Sequence, residues 1–311
     1  MSRAACPNGS RARWRAMGAP DAALIPAGLT RAQALVEGRV YLRQAGIEAA
    51  EEDARLLLLG ACAIDRLALV TGADLPLTSD EATRYGAHLA RRAAGEPASR
   101  ILGRRPFWTL DLAVRPGVLD PRGDSEALVR LAARAGQAGV APPRRILDLG
   151  CGSGALLCAA LSEFPQASGI GVDISAEACA ATLANIKGCG LSDRAGVIRG
   201  AWCEALAGEF DLILSNPPYI PAADISGLDR EVRDHDPRLA LDGGPDGLDA
   251  YRALFDTTQR VLAKGGVLAL EYGFDQGALV ERLAGEAGWR KIDAERDFSD
   301  HDRAGAFRPI G

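Results

Sequence analysis

Two short segments hold residues whose types and spacing could do chemistry. The first is Asp148-Leu149-Gly150-Cys151-Gly152-Ser153-Gly154, where an apolar run breaks into alternating glycines and then an Ala/Leu stretch. At a strand-to-helix turn, glycines let the backbone approach a ligand closely, and the helix start offers free N–H groups. A Gly-rich turn alone is a weak signal. No Gly-Lys-Ser/Thr follows, so a phosphate loop is excluded, and the spacing is G-x-G-x-G rather than the G-x-G-x-x-G of dinucleotide folds. Asp173 ends the next apolar run, where an acid can bind both hydroxyls of a ribose; alternatively, Asp173 or Ser175 merely caps the following helix. In register, the two features point to a nucleoside-type cofactor and leave NAD open. Trp202, after a third run, is either a face for adenine stacking or a core residue.

The second segment is Asn216-Pro217-Pro218-Tyr219, directly after the apolar run Phe210–Ser215. Pro217 pushes Asn216 toward an extended conformation, and neither proline donates an N–H, which leaves carbonyls as acceptors. The D-x-G-x-G-x-G turn with its ribose acid resembles the class I S-adenosylmethionine methyltransferases, and that resemblance, not the spacing, selects the cofactor. N-P-P-Y resembles the motif of methyltransferases acting on planar nitrogens: adenine and guanine amines, and glutamine amides. A sulfonium donor is already activated, so the enzyme must mainly orient a planar NH₂ for in-line attack. The Asn216 side-chain oxygen and the Pro217 carbonyl could hold the two N–H bonds, with Tyr219 stacked on the amide or base. No general base is needed before transfer, which suits a chain with three histidines.

Elements must position these residues. Strands are expected at Arg145–Leu149, Gly169–Ile174, Ala195–Arg199, Asp211–Ser215, Gly266–Tyr272 and Trp289–Arg296. Helices are expected at Asp124–Ala135, Gly154–Phe164, Ala176–Gly188, Gly247–Leu262 and Gly277–Ala287. Alternating strands and helices mean a doubly wound, mostly parallel α/β sheet. Ahead of it, Thr30 can cap a helix to Gly46, a second runs from Glu48 to Cys62, and Thr78 with Glu81 forms a capping box opening a third. Trp108, Leu110, Leu112 and Val114 alternate as in a strand pair or an extended linker.

Composition narrows the class. With 48% hydrophobic and 25% charged residues the chain is globular, and a net charge of −5 gives no global basic field for nucleic acid. Seven cysteines without a C-x-x-C pair read as reduced thiols, no metal site is expected, and no apolar run is long enough to span a bilayer. The Arg-rich, acid-poor start could be a mitochondrial transit peptide; a disordered extension, or a start at Met17, is preferred.

Three further segments resemble the release-factor glutamine methyltransferases of the PrmC/HemK type. They are Gly95-Glu96-Pro97-Ala98 through Leu102-Gly103 to Phe107-Trp108, Pro121-Arg122-Gly123-Asp124-Ser125-Glu126, and Glu231-Val232 through Asp236-Pro237-Arg238-Leu239-Ala240-Leu241-Asp242-Gly243-Gly244-Pro245-Asp246-Gly247-Leu248. The resemblance covers about residues 30–300. It implies a Rossmann-like seven-stranded sheet with a small N-terminal all-helical domain, divided as an extension (1–27), a helical substrate-recognition domain (28–95), a linker or hairpin (96–123) and a methyltransferase domain (124–311). It implies cofactor contacts at Gly150, Cys151, Gly152, Ser153, Gly154, Asp173, Trp202 and Asn216, and glutamine binding by Asn216, Pro217, Pro218 and Tyr219, with Asn216, Pro217 and Tyr219 as the catalytic set. The partner it implies is a peptide-chain release factor carrying a Gly-Gly-Gln loop, met by a cytoplasmic monomer without direct nucleic-acid or membrane contact. Asp120 and Gly123 depart from the family pattern, and Asp302 to Arg308 lacks the β-branched run expected of a final strand. The rivals are a glutamine methyltransferase of a ribosomal protein, a nucleic-acid amine methyltransferase, which should bring a basic groove and aromatics, and a non-catalytic cofactor-fold module.

Overall fold

The computed structural model describes residues 24–137 and 142–310. The expectations for the start of the chain fall largely on residues 1–23, outside the described residues. The chain divides into two compact units, Met1–Ile101 and Leu102–Gly311.

The first unit is helical. Thr30 caps α1 (Arg31–Gln44), its hydroxyl accepting from the Gln33 backbone while the Gln33 side chain accepts from the Thr30 N–H. Helix α2 (Ala50–Cys62) stops at Ala63, which sits in the left-handed region at φ 51°. A short helix, α3 (Arg66–Thr71), is capped by Asp65, and α4 (Ser79–Ala93) opens with the Thr78–Glu81 capping box. Leu57, Leu58, Tyr85 and Leu89 fill the core of this unit. The Tyr85 hydroxyl donates to the Ala54 carbonyl at 3.1 Å, and a buried Arg92–Asp53 pair at 2.6 Å ties α4 to α2. Gly38 in α1 faces the Tyr85 phenol and leaves no room for a Cβ. A short helix, α5 (Ala98–Leu102), lies at the division between the units.

The second unit begins with a hairpin of β1 (Arg104–Phe107) and β2 (Leu110–Ala113). A 3₁₀ turn over Gly123–Ser125 leads into α6 (Glu126–Gln137). Then follow β3 (Arg145–Leu149), α7 (Ala155–Glu163), β4 (Ser168–Asp173), α8 (Ala176–Gly188), β5 (Ala195–Arg199) and β6 (Phe210–Ser215). The rest is α9 (Arg230–His235), α10 (Asp249–Thr258), β7 (Leu262–Glu271), α11 (Gly277–Glu286), β8 (Trp289–Arg296) and β9 (Asp302–Pro309). The seven strands lie in the order β5-β4-β3-β6-β7-β9-β8, and β9 runs antiparallel to both of its neighbours. Strand order reverses between β3 and β6, the switch point where open α/β sheets take ligands.

One apolar layer places Leu128, Leu131, Leu157 and Leu161 of α6 and α7 on the sheet, and the other places Tyr251, Leu254, Phe255 and Val280 of α10 and α11 on its opposite face. Burial on both faces explains why β3 and β6 read as continuous Leu/Ile runs. The doubt about a final strand is overturned. Strand β9 is internal to the sheet, and Ala304, Ala306 and Phe307 are wholly buried. A Cβ at Gly305 would come within 2.9 Å of the Phe307 ring, so packing rather than intrinsic strand preference sets this composition.

Candidate active site

The turn after β3 is built from three left-handed glycines: Gly150 at φ 70°, Gly152 at φ 54° and Gly154 at φ 78°. Side chains rarely adopt this conformation, and at Gly154 a Cβ would also lie 2.7 Å from Thr182 Cγ2. The Gly150 and Cys151 N–H groups both donate to the Val172 carbonyl, at 2.8 and 3.0 Å, which binds the turn to the end of β4. Asp173, at that end, accepts from Gly152 N at 2.9 Å through one oxygen and from Ser175 N at 2.9 Å through the other. Ser175 is the helix cap, its hydroxyl accepting from Ala178 N, so capping does not account for Asp173. Asp173 also lines a cavity of about 280 Å³, just below the ~300–1,000 Å³ range of small-molecule sites.

Gly150, Gly152, Asp173, Trp202, Asn216 and Pro218 all line this cavity, joined by Val118, Leu119, Pro237 and Leu239. Trp202 holds a left-handed φ of 43°, a strained conformation for a bulky residue that costs on the order of 1 kcal/mol. Its ring edge lies 3.9 Å from where a Gly150 Cβ would stand.

Other expected residues lie behind the wall. Cys151 is buried, and because the Thr182 hydroxyl donates to the Gly152 carbonyl at 2.9 Å, the thiol donates to Thr182 Oγ1 at 3.3 Å. Burial holds this thiol well above the usual range. Ser153 is buried, and its carbonyl accepts from Asn185 Nδ2 at 2.9 Å. Pro217 is buried. Tyr219 packs on the apolar layer beneath, its hydroxyl pushed up to about 12 by burial and by the nearby Glu271.

The loop after β6 is braced from several sides. Ser215 Oγ donates to the Leu149 carbonyl at 2.7 Å, joining the ends of β6 and β3. The Tyr219 carbonyl accepts from Gln276 Nε2 at 2.9 Å, and Gly247, at φ 76°, leaves room for that contact. Ile220 pairs with the returning segment: its N–H donates to Leu241 O at 3.0 Å and its carbonyl accepts from Gly243 N at 2.9 Å. Arg122 pairs with the buried Asp236, fastening the segment before α6 to the same loop. Asn216 Nδ2 donates to Ser125 Oγ at 3.1 Å.

The sequence model of the PrmC N-terminal domain matches residues 33–103, and that of the methyltransferase small domain matches residues 128–228. A release factor glutamine methyltransferase of Caulobacter vibrioides is 43% identical over 276 residues, 88% of this chain and 95% of its own length. Those of Agrobacterium fabrum and Rhodospirillum rubrum are 42% and 45% identical, covering 88% and 87% of this chain and 96% and 84% of theirs. The chain belongs to the release factor glutamine methyltransferase family. In this methyltransferase two of the segments that carried the resemblance meet the loop after β6. The Pro121–Glu126 stretch supplies Ser125 to Asn216, and the Asp236–Leu248 loop folds back against Ile220.

Sequence reasoning missed two residues. Asn185 in α8, 3% exposed, uses its amide on both Ala113 backbone groups and on the Ser153 carbonyl, tying hairpin to glycine turn. Glu271, the last residue of β7, is enclosed beside Ser125 and Asn216. Its only sequence signal is a carboxyl ending an apolar run, Val267–Glu271. Among the described residues no His/Cys/Asp/Glu group is arranged to hold a metal, the six cysteines are free, and no helix is long and apolar enough to cross a membrane.

Proposed function

We propose that this enzyme methylates the side-chain amide nitrogen (N5) of the glutamine in the Gly-Gly-Gln loop of a peptide-chain release factor, using S-adenosylmethionine. One observation carries the reading: Asp173 with the glycine turn and Asn216 with Pro218 are walls of one cavity at the switch point. The residues suit the cofactor. The glycines give close backbone approach, Asp173 offers carboxylate acceptors for a ribose diol, and Trp202 offers an aromatic face for adenine. S-adenosylmethionine, when bound, supplies an electrophilic methyl group on a sulfonium.

The chain's own residues then have an orienting task. An amide nitrogen is a poor nucleophile because its lone pair is delocalised into the carbonyl. Asn216 Oδ1 and the Pro217 carbonyl accept the two N–H bonds of the glutamine, which fixes the NH₂ plane and aims the nitrogen across the cavity. Pro218, on the cavity wall, bounds the amide while Tyr219 backs the loop from beneath, and no side chain needs to take a proton before transfer. The helical unit, the part matched by the PrmC N-terminal model, contributes recognition of the release factor beyond its glutamine. Translation factors work in the cytoplasm, and this reading places the enzyme there.

Tritium transfer from labelled S-adenosylmethionine to a purified release factor tests the reading. Label on the wild-type factor and none on one with Gln→Ala in its Gly-Gly-Gln loop is expected. Label confined to a ribosomal-protein preparation would transfer the assignment to a different glutamine substrate.

A further inference from the structure

An asparagine amide is nearly symmetrical in shape but not in chemistry: turned one way it offers an acceptor, turned the other a donor. The reaction above needs Oδ1 of Asn216 toward the substrate N–H bonds, and nothing within Asn216-Pro217-Pro218-Tyr219 makes that selection. It is made behind the loop. Asn216 Nδ2 donates to Ser125 Oγ at 3.1 Å, and Ser125 is buried at the end of the 3₁₀ turn before α6. Glu271 is 1% exposed, and the pairing of Ser215 with Leu270 sets it beside Asn216, where Ser125 and Asn216 both favour its ionised form. A hydroxyl has one proton, so a Ser125 oxygen that accepts from Asn216 keeps its own proton available to the neighbouring Glu271 carboxylate. With the amide turned over, Oδ1 would meet the Ser125 oxygen, acceptor against acceptor while the hydroxyl proton is drawn to the carboxylate.

We propose that Glu271 and Ser125 are positioning residues that lock the Asn216 amide with its oxygen facing the substrate nitrogen. The inference rests on the role of Asn216 set out under Proposed function. A second observation supports it: the pair is expensive to keep. Glu271 Oε2 is enclosed without a hydrogen-bond partner. Burial pushes the carboxyl up to about 7, Asp124 adds to the rise, and Ser125, Arg303 and Asn216 oppose it. Arg303 is shared, standing 3.3 Å from Asp124 and 3.1 Å from Asp297. A buried, incompletely paired carboxylate works against stability, and such costs persist where function needs the group.

The groups facing Glu271 are Arg303 from β9, Asp124 from the 3₁₀ turn, Tyr219 from the loop after β6 and Tyr251 from α10. The lock is tight with Glu271 ionised and loosens on protonation, so kcat should rise with pH through the titration of this carboxyl.

The test compares Glu271→Gln, Ser125→Ala, Ser125→Thr and Asn216→Ala in the full-length enzyme. Methyl transfer to release factor, S-adenosylmethionine Kd by calorimetry, Tm, and kcat from about pH 6 to 9 are measured. Glu271→Gln and Ser125→Ala should lower kcat about ten- to hundredfold with Kd unchanged within about twofold. Ser125→Thr, which keeps the hydroxyl, should recover most of the loss. Glu271→Gln should melt at or above the wild-type Tm near pH 8 and lose the acid limb of the kcat profile. Wild-type kcat in Glu271→Gln and Ser125→Ala, with Asn216→Ala inactive, would overturn this inference alone. A kcat and a Tm that fall together in Glu271→Gln would overturn it in favour of a structural carboxyl. Full turnover in Asn216→Ala would instead remove the reading beneath it.

Discussion

The two walls of the cavity are built by opposite means. The wall after β3 is largely backbone: three left-handed glycines, two N–H bonds to Val172 and one carboxylate held by Gly152 and Ser175. The wall after β6 is a side-chain assembly in which Asn216 leans on Ser125 and Glu271, and Tyr219 on Gln276. Backbone geometry is dictated by a few adjacent residues and serves many ligands of one shape. A side-chain network is dictated by residues far apart in the chain and serves one orientation of one group. In our account the first wall binds and the second aims, and substitutions should separate the two.

The largest effect is expected at Gly154. An alanine there combines a left-handed backbone with contact against Thr182 Cγ2 and Cα, at 2.7 and 3.1 Å. It should destabilise the fold by about 3 kcal/mol, seen as a lower denaturation midpoint in urea. Asp173→Ala should leave the fold intact and weaken S-adenosylmethionine binding about ten- to hundredfold by calorimetry, the scale of a lost charge-assisted hydrogen bond. Equal affinity would strip Asp173 of its place in the binding wall. Trp202→Ala should weaken the same binding only several-fold, the scale of an aromatic contact of about 1 kcal/mol.

The smallest effect concerns pH. Asp148 is fully enclosed, accepts from Leu157 N at 3.1 Å, and is pushed by burial from 3.8 up to about 7. A folded-state value above the unfolded one means its contribution to stability is fully present below about pH 4 and is lost as pH rises to about 7. Glu271 acts in the same direction. Tm should therefore fall by a few degrees from about pH 5 to pH 8, and Asp148→Asn should flatten that slope. A Tm that climbs over the interval in wild type, or an unchanged slope in the variant, would contradict the burial argument.

The binding wall was legible in the sequence because its determinants are contiguous. Strands β3, β5 and β8 and helix α8 fall on the expected residues, and the other expected strands and helices shift by a few positions at their ends. The expected helix over Gly247–Leu262 closes earlier, at Thr258, where a 3₁₀ turn takes over and Leu262 already begins β7. Strand β9 was not legible, since Ala304-Gly305-Ala306 carries no strand preference and is dictated by packing. The aiming wall was legible only in Asn216-Pro217-Pro218-Tyr219. Ser125 reads as part of a helix start and Glu271 as the polar end of a strand; only the sheet order sets Glu271 beside Asn216, and only the tertiary fold brings the turn before α6 to it. The inward turn of Cys151 was equally hidden, because it depends on Thr182 in α8.

The most direct measurement pairs S-adenosylmethionine affinity with the single-turnover rate of methyl transfer to release factor, in wild type and Asn216→Ala. Separate walls predict a Kd within about twofold of wild type and a rate lower by about a hundredfold or more. A rate equal to wild type, or an affinity that collapses together with the rate, would contradict the division between binding and aiming.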